Sequence, residues 1–369
     1  MHNSRYFSNC NWTLLMLAIL IFAMGILNLY SAGSLRIEEG VTTIFYYKKQ
    51  LIWGVVGLLA LLFFMAFDYR HLKNIVWPLY WTTVSLLITV LILGTNICGA
   101  TRWINLGLFY FQPTELAKLS ILIVTAYFLS NLSQNLRWKE LGKLIFLVAI
   151  PVFFIMIQPD LGSGMNILLL VGGMVLYKGL DSRVFWTVFI SSLFILPQSW
   201  FFLKDYQKKR ILTFLNPESD PLGAGYNLLQ SKIAIGSGGL WGKGFLGSTQ
   251  SQLRFLPEKH TDFVFAVFGE EWGFIGSLLL ISLFCLLLNQ FINVIKGSKD
   301  DFGKFLVTGI FFYFFWQVVI NISMVLGLIP IVGLPLPLLS YGGSSTVMSF
   351  CLLGIALNVS MRRYVFKQS

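Results

Sequence analysis

The chain has 369 residues, 56% of them hydrophobic and only 12% charged. A soluble domain carries about 25% charged residues, so this composition excludes one and calls for a bilayer as solvent. The formal net charge of +11 does not indicate nucleic acid, because Lys and Arg flank apolar runs, where they suit anionic headgroups and membrane topology.

A membrane span needs about 20 apolar residues. Runs of that kind occupy 12–32, 50–67, 74–94, 113–131, 140–157, 162–179, 184–203, 264–290, 303–328 and 340–361. The expected fold is therefore all-α, a single polytopic domain over 1–369 with about ten transmembrane helices. The first run, Trp12 to Tyr30, exceeds the roughly 7–15 residues of a signal-peptide core and reads as a retained span. With ten spans both termini share a side. Lys and Arg are concentrated in the segments that share the N-terminal side, such as Arg137, Lys139 and Lys143, which puts both termini inside the cell. Cys10, Cys98, Cys285 and Cys351 show no paired spacing, so neither a disulfide framework nor a metal knuckle is expected.

One connection, 204–263, is long enough to fold, and it falls outside as a large extracytoplasmic loop. It begins "KDYQKKRILTFLNPESDPLGAGY", with Lys208 and Arg210 in a basic cluster. "NLLQSKIAIGSGG" then suggests a short amphipathic helix on the membrane, ending at Gly236. The following "GSGGLWGKGFLGSTQ" contains GxGxxG, but no strand precedes it. A dinucleotide site is excluded, and the stretch reads as a flexible surface loop. No internal repeat is visible, which disfavours inverted-repeat transporters.

Four motifs carry polar chemistry. In "GATRWINLG", Trp103 is either an interfacial anchor or, with Arg102, a platform for a sugar and its phosphate. "FQPTELAKLS" offers Gln112, Glu115 and Lys118. The last two are i,i+3 on one helix face, either a packing pair or part of an intramembrane site. Asp160 in "IQPDLGSG" is a helix cap or a functional carboxylate. "PLPLLSYGGSS" contains Ser340 and supplies irregular backbone, which faces a cavity or merely enters a helix.

A fifth motif, "FLPEKHTDFVFAVFGEEWG", is the most informative. Capping the next helix requires one small polar residue, whereas Glu258, Lys259, His260, Thr261 and Asp262 are consecutive. Either Thr261 or Asp262 could be the cap. The cluster also places a base and cations at the membrane surface, as general acid–base chemistry requires. His260 lacks the companions of a zinc site, so no resident metal is expected.

"TRWINLG", "FQPTELAK", "QPDLGSG", the long run from "RILTFLNPESDPLGAGYNLL" to "KHTDFVFAV", and "GLPLPLLSYGGSS" together resemble the SEDS family (shape, elongation, division and sporulation) over nearly the whole chain. The outer-loop wording is similar to its elongation branch rather than its division branch. Trp272 departs from the smaller apolar residue common there.

The resemblance implies a peptidoglycan glycosyltransferase that polymerises lipid II on the outer face of the bacterial cytoplasmic membrane. It also implies a class B penicillin-binding transpeptidase as partner, within the elongation machinery. By the same resemblance the essential aspartate falls on Asp262 and the important loop tryptophan on Trp103. Candidate substrate contacts are then Arg102, Trp103, Gln112, Glu115, Lys118, Asp160, Lys208, Arg210, Lys259, His260, Thr261 and Ser340. No organic cofactor is implied. A divalent cation, Mg or Mn, could share the neutralisation of the substrate's diphosphate. The rival readings are a lipid II flippase, with Glu115, Lys118 and Asp160 lining its pathway, and a scaffold that recruits the transpeptidase.

Overall fold

The computed structural model describes residues 10–33, 46–97, 100–105, 107, 110–220, 223–252, 255–256 and 258–362. Cys98, Arg36, Arg254 and the terminal Arg5, Arg363 and Lys367 lie outside them. Each predicted run is a long helix. In chain order these begin with α1 (Trp12–Gly33), α2 (Tyr46–Ala66), α3 (Leu72–Leu93), α4 (Pro113–Ser130), α5 (Trp138–Ile157), α6 (Leu161–Lys178) and α7 (Ser182–Phe202). The interhelical loop contributes the short helices α8 (Asp205–Leu215), α9 (Ala224–Gly238) and α10 (Thr249–Gln252). The chain then closes with α11 (Val264–Gly297), α12 (Asp301–Val325) and α13 (Gly343–Arg362).

Among the described residues, eight helices are long and apolar enough to cross a membrane: α1, α2, α3 with its preceding turn, α5, α6, α11, α12 and α13. The other two long helices differ for visible reasons. α4 carries Glu115 and Lys118 in its first turns and is buried on nearly every side. α7 is apolar over 182–195 and then carries Pro197 and Gln198 before its aromatic end.

α13 packs mainly against α2, α3 against α4, and α12 against α4, α6 and α11. α4, α12 and α13 thus form the interior of the bundle, and α1, α2, α3 and α5 present broad exposed apolar faces. Such faces suit lipid, which is as apolar as the side chains it meets.

The all-α expectation omits a small sheet. Strands β1 (Thr95–Ile97), β2 (Ala100–Asn105) and β3 (Tyr110–Phe111) pair antiparallel in that order, with Thr95 opposite Trp103 and Ile104 opposite Phe111. Their Thr, Ile, Trp, Tyr and Phe content favours a pleated surface, and the segments were too short to register against the apolar runs. The sheet delivers Arg102 and Trp103 to the head of α4.

Two loop expectations change. α9 ends at Gly238 rather than Gly236, and it packs on α11. The Ser231 hydroxyl donates to the Val325 carbonyl at 3.0 Å, tying α9 to the end of α12. The glycine stretch is not free either. α11 is interrupted at Gly273, whose φ of 64° and ψ of −163° take it out of the helix. A break there deprives the Phe274 and Ile275 amides of the Glu270 and Glu271 carbonyls.

The loop supplies both halves of the missing set. Phe274 donates to the Gly239 carbonyl at 2.9 Å and Ile275 to that of Leu240 at 3.2 Å. The Lys243 and Gly244 amides donate to the Glu270 and Glu271 carbonyls, each at 3.0 Å. The loop is spliced into the helix, so these two amides and two carbonyls freed by the break find partners.

Candidate active site

Residues 331–334, an irregular strip between α12 and α13, organise the site. Each is touched by a different element. Arg210, on α8, donates from Nη1 to the Ile331 carbonyl at 3.2 Å. A methyl group at Gly162 would come within 2.9 Å of the Val332 carbonyl, so the entry to α6 lies against the strip. A methyl at Gly333 would stand 3.4 Å from Asp262 Oδ2, which places that carboxylate over the Gly333 backbone. Asn321 donates from Nδ2 to the Leu334 carbonyl at 2.7 Å and to the Asp262 carbonyl at 2.9 Å, fixing the aspartate's main chain to the same strip.

Asp262 is not a cap. Phe263 occupies the N-cap position of α11 without a side-chain cap. Thr261 is not the cap either, because its hydroxyl donates to Glu258 Oε2 at 3.0 Å. Among the described residues no hydrogen bond or ion pair reaches the Asp262 carboxylate. Burial pushes its pKa up to about 6, and the neighbouring Glu258 carboxylate adds to the rise. Arg102 and Arg210 oppose it, and Asp160 adds a smaller upward push. Burial penalises the charged form and the two cations favour it, so the group is held near neutrality.

Asp160 takes the first of the two roles the sequence allowed. Its Oδ1 accepts from the Ser163 amide at 3.2 Å, which makes it the cap of α6. The same oxygen lies 3.5 Å from Arg102 Nη1, while Oδ2 is buried without a protein partner among the described residues.

The remaining candidates divide by position. Trp103 is half-buried on β2, and Gln112 is half-buried at the N-cap of α4 without capping it. Lys208 is half-buried on α8. Lys259 donates to the Ser251 carbonyl at 2.5 Å. His260 stacks on Tyr46 at 4.0 Å between centroids, and its carbonyl accepts from the Tyr341 amide at 2.8 Å. Burial lowers its pKa, against the pull of Glu258 and with the push of Lys259, which favours the uncharged ring in this stack. Ser340 accepts from the Leu336 amide at 2.8 Å and shapes the turn before α13.

Glu115 and Lys118 do not join the Asp262 group. They meet each other at 2.6 Å in the buried interface between α4 and α12. The Tyr313 hydroxyl donates to Glu115 Oε2 at 3.4 Å, and Lys118 lies over the Tyr313 ring.

Three positioning groups remain: Glu270, which the sequence places two turns deeper than Asp262 with structural partners, and Gln50 and Asn321, which escaped the sequence reading. Glu270 is wholly buried and accepts from Lys243 Nζ at 2.6 Å, Ser248 Oγ at 2.5 Å, Thr249 Oγ1 at 2.9 Å and the Thr249 amide at 3.0 Å. Gln50 donates to the Ser340 carbonyl and the Thr346 hydroxyl and accepts from the Gly342 amide, holding the turn before α13. Asn321 has been described. A polar amide inside an apolar run, as in "FWQVVINIS", is the signal that could have found the last.

This is a polytopic helical membrane protein with a half-buried, uncapped carboxylate and two arginines gathered under one large interhelical loop. The chain belongs to the cell cycle protein family of FtsW, RodA and SpoVE, whose model matches residues 11–365. It is 42% identical over 294 residues to the peptidoglycan glycosyltransferase MrdB of Escherichia coli K12, covering 79% of each chain. It is 36% identical over 356 residues to stage V sporulation protein E of Bacillus subtilis, covering 94% of this chain and 96% of that one. Among solved structures it is similar to the rod shape determining protein RodA of Thermus thermophilus, with 30% identity and a TM-score of 0.72 over 96% of this chain and 98% of that one. A chain from a peptidoglycan synthase complex that coordinates polymerisation and crosslinking matches with 32% identity and a TM-score of 0.82, over the same shares.

Proposed function

We propose that this protein is a peptidoglycan glycosyltransferase that polymerises lipid II at the outer face of the cytoplasmic membrane, with Asp262 as general base. One observation carries the assignment of the base: a half-buried carboxylate that caps nothing, whose pKa is pushed up to about 6. A base is most effective when its pKa lies near the working pH.

In the reaction, the acceptor sugar's 4-hydroxyl oxygen forms a bond to the donor's anomeric carbon. The bond from that carbon to the diphosphate oxygen breaks, and its electron pair leaves with the diphosphate. Asp262 takes the hydroxyl proton as attack proceeds. Arg102 and Arg210 neutralise charge developing on the leaving group, which fixed cations do best in a partly dry site. The guanidinium fork is suited to phosphate oxygens because it donates bidentately. Trp103 and Gln112, on the β2 and α4 edges, are proposed to hold sugar, and Lys208 and Lys259 to add positive charge at the loop. Polyprenyl tails kept in the bilayer present both head groups to this loop, which turns a rare encounter into an oriented one.

Among the described residues no three His, Cys, Asp or Glu side chains gather as a metal cage. A Mg or Mn ion would therefore be held chiefly by the substrate's own diphosphate, with Asp160 Oδ2, a buried carboxylate oxygen without a described partner, as a protein ligand. We take ten membrane crossings, with both termini cytoplasmic and the 204–263 loop outside. A class B penicillin-binding transpeptidase of the elongation machinery is the proposed partner, as the assembly of the structural relative suggests.

The test measures glycan polymerisation from lipid II by the purified full-length chain with that transpeptidase, comparing Asp262→Asn and Asp262→Ala. Both lose about 10²–10⁴-fold in rate if Asp262 is the base, and wild-type activity rises with pH through about 6 as the carboxyl ionises. Activity retained in a folded Asp262→Asn protein would remove Asp262 from that role.

A further inference from the structure

The tip of the glycine loop exposes large apolar side chains although its backbone is fixed. Trp241 is 80% exposed and Leu240 63%, with Phe245 at 45%. Flexibility does not account for this, since the Gly239, Leu240, Lys243 and Gly244 backbones are all bonded into the break of α11. The residues bonded to them in return, Phe274 and Ile275, are themselves exposed and apolar, and they continue into Leu278 and Leu279 on the outer flank of the same helix. On the other side Phe245 stacks with Tyr30 near the end of α1. The tip therefore extends, without interruption, the apolar flank that α11 and α1 present as membrane spans.

We propose that Leu240, Trp241 and Phe245 form an interfacial membrane anchor, a loop tip seated in the outer headgroup region of the bilayer. Three features of the loop fit that place. Tryptophan prefers the interface, where an amphipathic ring meets both lipid and water. Non-helical backbone at membrane depth is tolerated only when its polar groups are paired inside the protein, and the splice pairs them. The one cation at the tip, Lys243, is turned inward onto buried Glu270, 2.6 Å away, so its charge is neutralised while the apolar side chains face outward. The bilayer is chosen over a protein because the patch is continuous with surfaces that lipid already covers. The inference does not depend on the reaction assigned above. It adds that the depth of the outer loop is set by lipid contact and passed through Glu270 to α11, whose first turn follows Asp262.

The test labels Trp241→Cys, and separately Leu240→Cys, with an environment-sensitive NBD fluorophore in the full-length chain, its native cysteines replaced. The protein is reconstituted in phosphatidylethanolamine–phosphatidylglycerol vesicles, and correct folding is checked by a monodisperse elution profile and an unchanged thermal melt. Quenching by lipids spin-labelled near the headgroup should exceed that by mid-chain labels at least twofold. Iodide quenching should be several-fold weaker than at a label on exposed Lys209. Iodide quenching equal to that at Lys209, at both positions, would overturn the anchor. So would lipid quenching that disappears when the transpeptidase is added, because the surface would then belong to that partner. If one labelled variant does not fold, the other decides.

Discussion

Asp262 and Glu270 stand eight positions apart in one segment and are treated in opposite ways. Glu270 is wholly buried yet surrounded by donors from Lys243, Ser248, Thr249 and Gln250. These fill its lone pairs and hold its position fixed. Asp262 is less buried, receives none of these bonds among the described residues, and has only the distant pull of Arg102 and Arg210 against its desolvation. A carboxylate whose lone pairs are filled organises structure. One left open among cations is available to take a proton. Counting acids in the sequence does not distinguish the two.

The largest effect that would break this comparison is catalytic. Asp262→Asn should lower polymerisation by about 10²–10⁴-fold without lowering the melting temperature in detergent. If Glu270→Gln does the same without loss of stability, the assignment is reversed. Next in size is the structural arm. Glu270→Ala strands Lys243 and the Ser248 and Thr249 donors, and should destabilise by about 3–5 kcal/mol, read as a lowered melting temperature. A double-mutant cycle on Glu115 and Lys118 sharpens the contrast. Either single change, Glu115→Gln or Lys118→Met, leaves a buried charge unpaired and should destabilise by about 3–5 kcal/mol, and the double should recover much of that. Additive losses in stability would show that the pair does not act as a unit.

The smallest effect carries the more telling sign. The Asp262 pKa is about 6 in the fold against an ordinary 3.8, so folding favours the protonated form. That stabilisation is complete below pH 3.8 and is lost as pH rises through 6. At pH 7.5 the wild type therefore bears an ionised carboxylate it would fold better without. Asp262→Asn should be more stable there by at most about 3 kcal/mol, with the gain vanishing below about pH 4. Unfolding midpoints measured across that range check it. A more stable but inactive variant is the pattern expected where function is maintained against stability.

The helices were legible because a bilayer imposes a length and a polarity, and each apolar run satisfied both. The Asp160 cap and the Glu258–Asp262 cluster were legible for local reasons, since caps and charge clusters are read within a few residues. The partners of Glu270 were not, because they come from residues 20 to 33 positions earlier, across a loop with no periodic pattern. Gln50 acts across 290 residues of sequence, and no spacing rule reaches that far. The strip at 331–334 presented only Gly and aliphatic residues. Its importance lies in backbone carbonyls that every residue type shares, so its composition could not reveal it.

The splice at Gly273 has a consequence for how this sequence can change. A methyl group on Gly242 would be driven into the Glu271 carbonyl, and one on Gly273 into the Gly242 amide and the Leu240 carbonyl. Both residues also hold positive φ, 80° and 64°, where side chains are disfavoured. Each glycine is thus the wall of the other's site, and a larger residue at one cannot be accommodated by adjusting the other. Substitutions elsewhere in the loop can be explored one at a time. This pair can be left only by rebuilding loop and helix together, so divergence among descendants of this chain should run around the two positions rather than through them.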